Sequence, residues 1–164
     1  MGNFFGVTSI IYNQFHWVPE DTKFVLPAMN INPNTITASG FSGGSYYASL
    51  FHVVNSATIK GVGLKAGGVY SLGYKGGGKE SIPDSWITDA IAKAQDLSDK
   101  GEIDNVSNLK GSPVKIISCL QDDQQTPPNQ KGQKTFYEAF GANVSYEEDD
   151  AVHTTNWSDP KRSF

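Results

Sequence analysis

Cysteine is nearly absent: Cys119 is the only one in 164 residues. No internal disulfide can form, so the framework does not depend on an oxidising compartment. Long apolar runs are missing too, and nothing approaches the roughly 20 residues of a membrane-spanning helix. Basic charge is sparse, with 13 Lys and Arg against 17 Asp and Glu and a formal net charge of -4. Lys60, Lys65, Lys75 and Lys79 are dispersed among glycines, whereas a nucleic-acid partner needs a concentrated basic face. Neither a nucleic acid nor a membrane is therefore expected as a partner. The start, Met1-Gly2-Asn3-Phe4-Phe5, has no positive n-region and no long apolar h-region, so no signal peptide is read there. Gly6 stands where myristoylation requires Ser or Thr. Sequons at Asn105, Asn143 and Asn156 matter only in a secreted protein. Glu147-Glu148-Asp149-Asp150 is the one acidic cluster and reads as a solvated loop.

What is present is a globular composition, 38% hydrophobic and 12% aromatic, in a chain long enough for one domain with a core. Residues 1–24 are aromatic-rich without a clean period and read as an irregular lead-in to a domain over 25–164. Val25-Leu26-Pro27-Ala28 reads as a short helix or turn, and Asn30-Ile31-Asn32-Pro33-Asn34 as a turn. A β-type run, Asn34–Ser39, and a helix-compatible run, Tyr46–Val54, flank a glycine-rich turn. Ile59–Gly68 reads as a second buried strand, and residues 71–80, with Gly76-Gly77-Gly78, as a mobile loop. Trp86, Ile87, Ala90, Ile91, Ala94 and Leu97 fall at helical spacing, with Asp84 or Ser85 as N-cap and Gly101 as stop. Val114–Leu120 is a strand that buries Cys119 as a small core residue. Pro127-Pro128 opens a helix with the face Phe136, Tyr137 and Phe140, closed by Gly141. Ala142–Glu147 is the last strand. This alternation predicts an α/β fold with a mostly parallel sheet of about four strands flanked by helices.

The turn after the first strand reads Gly40-Phe41-Ser42-Gly43-Gly44. A G-x-S-x-G between strand and helix is what a nucleophile elbow requires, with the serine hydroxyl at the apex of a strained turn. Glycine is expected on either side because a side chain there would collide with its neighbours. A serine hydroxyl needs a base within hydrogen-bond reach and an acid that fixes the base's tautomer. There are three histidines to choose from. His52 lies too far down the following helix and reads as a satisfied core or rim residue. His16 sits in the lead-in and reads as structural. His153 follows the last strand, and functional groups gather beyond strand C-termini in an open parallel sheet. Asp122 and Asp123 follow the Cys119 strand, and either can supply the acid. The order Ser42, Asp122 or Asp123, His153 is the order of an α/β-hydrolase triad.

These residues carry a resemblance. Leu26–Asn34, then Ser39–Tyr46, then Ala66-Gly67-Gly68-Val69-Tyr70 resemble the polyhydroxybutyrate (short-chain polyhydroxyalkanoate) depolymerases. The similar type has its serine box near the N-terminus in a circularly permuted α/β-hydrolase fold. Asp123–Asn129, Ala142–Tyr146 and Val152-His153-Thr154 look like its acid and histidine blocks. The resemblance covers roughly residues 25–155. It implies Ser42 as nucleophile, Asp123 as acid in preference to Asp122, and His153 as base. It implies hydrolysis of an ester or polyester through an acyl-enzyme, without a cofactor or metal. Gly43 N–H is the first oxyanion donor, by the rule that the residue after the nucleophile provides one. Members of the type are usually secreted, and their second donor lies in a His-Gly-Cys loop after the catalytic histidine. No His-Gly-Cys occurs here, and loss of one donor costs about 3–4 kcal/mol of transition-state stabilisation. The expectation is a triad with half an oxyanion hole, in a fragment, a half-domain completed by another chain, or a decayed copy. An incomplete sheet also leaves the Ser42 strand as an edge open to association. Against the esterase stands a non-catalytic binding module, and beside it a feruloyl- or acetylxylan-type esterase with the same serine box. Tyr46, Tyr47, Tyr70, Tyr74 and Trp157 are aromatics that either line a cleft or serve packing.

Overall fold

The computed structural model describes residues 30–72, 82–150 and 153. The chain divides into two compact units, Met1–Ile31 and Asn32–Phe164, and the second holds the elements described below. The lead-in, the Val25–Ala28 turn, the Gly76–Gly78 loop, His16, Tyr74 and Trp157 lie outside the described residues.

Four strands form the sheet: β1 (Thr37–Phe41), β2 (Gly61–Lys65), β3 (Pro113–Cys119) and β4 (Asn143–Asp149). They lie in the order β1-β2-β3-β4, every neighbour parallel. The crossovers carry α1 (Gly43–Val54), α2 (Asp84–Asp99) and α3 (Pro127–Ala139). Right-handed crossovers between strands laid down in sequence order put successive helices on one side of the sheet. The core agrees. Ala38, Val62, Val114 and Val144 stand side by side across the four strands, with Leu64, Ile116 and Tyr146 in the row above. All seven join Ala48, Val53, Ile87, Ala90, Ala94, Phe136 and Tyr137 in one apolar cluster.

The helix ends follow the glycines. Gly101 and Gly141 have φ of 70° and 72°. After α2, Gly101 N–H bonds Ser98 O and Glu102 N–H bonds Leu97 O; after α3, Gly141 and Ala142 repeat the pattern on Glu138 and Tyr137. Both are Schellman ends, which need a residue comfortable at positive φ. The start of α2 corrects an expectation: its N-cap is Pro83, and Asp84 is already the first helical residue. Asp84 there favours the positive end of the helix dipole rather than capping it.

The acidic cluster is likewise corrected. Glu147, Glu148 and Asp149 belong to β4, paired with Ile117, Ser118 and Cys119. Lys65 Nζ lies 3.0 Å from Asp149 Oδ2, Lys131 Nζ 3.8 Å from Glu148 Oε1, and Lys115 meets Glu147. Cations from β2, β3 and α3 offset the repulsion that would otherwise oppose three successive carboxylates in an extended strand. Among the described residues β1 and β4 are the two edges, and β4 has the charged edge that discourages pairing with other chains.

Candidate active site

Ser42 sits where β1 gives way to α1. Its backbone is at φ 54°, ψ -122°, a region that costs a non-glycine residue of order 1–3 kcal/mol and that surrounding contacts must hold. The holding contacts are visible: Ser42 N–H donates to Lys65 O at 3.0 Å, and Ser42 O accepts from Ser45 N at 2.9 Å and Tyr46 N at 3.3 Å. A Cβ on Gly40 would fall 2.1 Å from Gly44 O, so the first glycine of the turn is obligatory. The third is not, because a Cβ on Gly44 meets nothing within 4 Å. The expected collision therefore holds at Gly40 and not at Gly44. Gly43 is the first residue of α1, and first-turn N–H groups have no partner inside their own helix.

Two hydrogen bonds run outward from the hydroxyl. Ser42 Oγ lies 2.9 Å from His153 Nε2, and His153 Nδ1 lies 2.7 Å from Asp122 Oδ2. The residues come from behind β1, β3 and β4, so strand C-termini bring them together across 111 and 31 positions of sequence. The imidazole and the carboxylate are almost wholly buried, at 3% and 0% exposure, and burial strengthens the attraction between a carboxylate and an imidazolium. Phe41 stacks on the imidazole at 5.1 Å between ring centroids. An aromatic face favours a cation beside it.

The structure departs from the resemblance by one residue. Asp122, not Asp123, meets the imidazole. Asp122 N–H donates to Cys119 O at 3.2 Å, turning its side chain inward as soon as β3 ends. Its Oδ1 then accepts from Gln124 N at 2.9 Å and Gln125 N at 2.7 Å, an Asx-type turn that occupies one oxygen and aims the other at His153. Asp123 is exposed in the same turn. In the sequence the two adjoining aspartates precede the same turn, and only the folded turn separates them.

The remaining candidates separate cleanly. His52 is fully buried, with Nδ1 3.3 Å from Tyr137 Oη and Nε2 3.0 Å from Ser112 Oγ. Burial pushes its imidazole down to about 4, so it stays neutral in the core. Cys119 is a buried free thiol, held up from its ordinary value by burial first of all. Tyr70 packs on Phe136 at 5.1 Å in the core, while Tyr47 is 74% exposed. Tyr46 is half-buried and belongs to a polar cluster with Gln125 and Asn129, which sequence reasoning missed. No group of three His, Cys, Asp or Glu able to hold a metal occurs among the described residues.

A parallel sheet with a strained serine at the strand-to-helix turn, and an acid and a histidine beyond later strands, is the architecture of the α/β-hydrolases. Within that class the chain is homologous to poly(3-hydroxybutyrate) depolymerase. It is 33% identical to that enzyme of Delftia acidovorans over 139 residues, which are 77% of this chain and 28% of the relative. The crystal structure of PHB depolymerase from Penicillium funiculosum superposes with a TM-score of 0.71 at 30% identity, over 79% of this chain and 42% of the other. A PHB depolymerase complexed with an R3HB trimer matches over the same shares, with a TM-score of 0.70 at 30% identity. The Bacillus cereus carboxylesterase, at 18% identity and a TM-score of 0.50, shares the fold. No family model matches the chain. The chain thus spans less than half the length of each of these three depolymerases.

Proposed function

We propose that this chain is a serine ester hydrolase acting on short-chain hydroxyalkanoate polyester or its oligomers, with Ser42 as nucleophile, His153 as base and Asp122 as acid. The unbroken line of hydrogen bonds from Ser42 Oγ through His153 to Asp122 carries the reading. Ser42 Oγ attacks the ester carbonyl carbon as its proton passes to His153 Nε2. Asp122 holds the imidazole in the tautomer with hydrogen on Nδ1 and stabilises the imidazolium that forms. Gly43 N–H donates to the tetrahedral oxyanion. Collapse expels the alcohol, which takes the proton from Nε2 and leaves an acyl-serine. Water then repeats the sequence, giving its proton to His153 and releasing the acid. The polyester substrate is carried over from the homologues, a poly(3-hydroxybutyrate) depolymerase and a PHB depolymerase complexed with an R3HB trimer. Secretion rests on the resemblance alone, and recovery of the chain from the medium of expressing cells would test it.

The purified chain is expected to hydrolyse p-nitrophenyl butyrate and to be labelled by a fluorophosphonate, both lost in Ser42→Ala. Labelling that persists in Ser42→Ala excludes this serine. No hydrolysis above background would favour the non-catalytic binding module instead. Hydroxybutyrate oligomers set against feruloyl and acetyl esters then separate the depolymerase from its neighbouring esterases.

A further inference from the structure

We propose that Tyr46 and Gln125 are positioning residues that close the Ser42–His153–Asp122 line into a ring, so that the nucleophile's own helix sets the place of the acid. The proposal rests on the esterase reading above. The ring is complete in the structure. From Asp122 Oδ1 it passes to Gln125 N at 2.7 Å. From Gln125 Oε1 it passes to Tyr46 Oη at 2.7 Å. Tyr46 stands in the first turn of α1, and its N–H returns to Ser42 O at 3.3 Å.

Neighbouring groups leave little freedom in this ring. Asn129 Nδ2 donates to Tyr46 Oη at 2.8 Å and to Gln125 Oε1 at 3.0 Å. Gln130 Nε2 donates to Gln125 O, and Gln130 Oε1 accepts from Cys119 N at 3.2 Å. Gln125, Asn129 and Gln130 are buried. A Cβ on Gly68 would fall 2.3 Å from Tyr46 Oη and 2.5 Å from the Asn129 amide, so the β2 loop closes tightly over the cluster. Burying a phenol and three amides is costly unless each is paired, and a satisfied polar web imposes one geometry where an apolar filling would allow several. The geometry imposed here is that of the Asp122 turn: Gln125 offers its backbone N–H to the carboxylate while its side chain is anchored on α1.

Tyr46→Phe removes one hydroxyl and keeps the ring in place. In the full chain, kcat for p-nitrophenyl butyrate and the rate of fluorophosphonate labelling are expected to fall about tenfold, short of the ~100-fold that a 1 Å misplacement costs. KM stays within about twofold, because no contact to substrate is lost. The melting temperature is measured alongside. Added to Asp122→Asn, the same substitution costs nothing further, since the group it positions has lost its charge. Gln125→Leu reproduces both results and serves if Tyr46→Phe does not fold. Unchanged kcat and labelling in a folded variant overturns the proposal, as does a loss that multiplies fully on the Asp122→Asn background. Ser42→Ala in the same assays separates the two levels. If it is inactive while Tyr46→Phe is normal, only the ring fails; if it is fully active, the esterase reading fails and the ring with it.

Discussion

Asp122 and Asp123 carry the same charge at adjoining positions, but one has lost its water and the other has kept it. Asp122 is 3% exposed and replaces its hydration with two backbone N–H groups and an imidazole. Asp123 remains at the surface. Asp122→Asn is therefore expected to lower kcat by about 10⁴-fold, the scale seen when an acid that fixes a histidine tautomer becomes an amide. Asp123→Asn is expected to leave kcat within about twofold. Steady-state turnover of p-nitrophenyl butyrate by the two variants decides the point, and the reverse ranking would return the acid to Asp123.

At the scale of elements, α1 and α3 are joined by a buried polar contact. His52 on α1, Tyr137 on α3 and Ser112 before β3 share hydrogen bonds, and Ser49 Oγ adds another to Tyr137 at 3.1 Å. The His52 imidazole has fallen from 6.5 to about 4 through burial. Its folded value lies below its unfolded value, so unfolding takes up a proton between those limits. The stability it contributes is complete above pH 6.5 and is lost as the pH falls towards 4, by up to about 3 kcal/mol at 1.36 kcal/mol per unit. Urea midpoints measured from pH 7 to pH 4.5 are expected to fall accordingly, and the fall should be smaller in His52→Gln. Equal slopes in the two proteins would show that other groups govern acid unfolding.

At the scale of the molecule, the two edges of the sheet among the described residues are unlike. β4 carries glutamates and lysine partners, whereas β1 reads Thr37-Ala38-Ser39-Gly40-Phe41 without a charge. On α1, which packs against β1, Tyr47, Leu50 and Phe51 are 74%, 41% and 53% exposed at helical spacing. An uncharged edge with exposed apolar side chains nearby invites association. Sedimentation velocity is expected to show concentration-dependent self-association that Phe51→Lys reduces. A single monomeric boundary at every concentration would contradict this.

The order of elements, the glycine stops at 101 and 141, the serine turn and the placing of His153 beside Ser42 were all legible in the residues. Each depends on periodicity, on φ, or on position relative to a strand end, and those are local properties of a chain. The N-cap of α2, the strand character of Glu147–Asp149 and which aspartate meets His153 were not. Proline at 83, lysines on three other elements, and an Asx-type turn decided them, and each works through a contact that exists only after folding. The Tyr46–Gln125 bridge is the clearest case, with its members separated by 79 positions. Sequence alone determined that a serine would stand at a strained turn below a histidine loop. Tertiary structure alone decided which carboxylate faces that histidine, because only the packed cluster withdraws one aspartate from water and leaves its neighbour there.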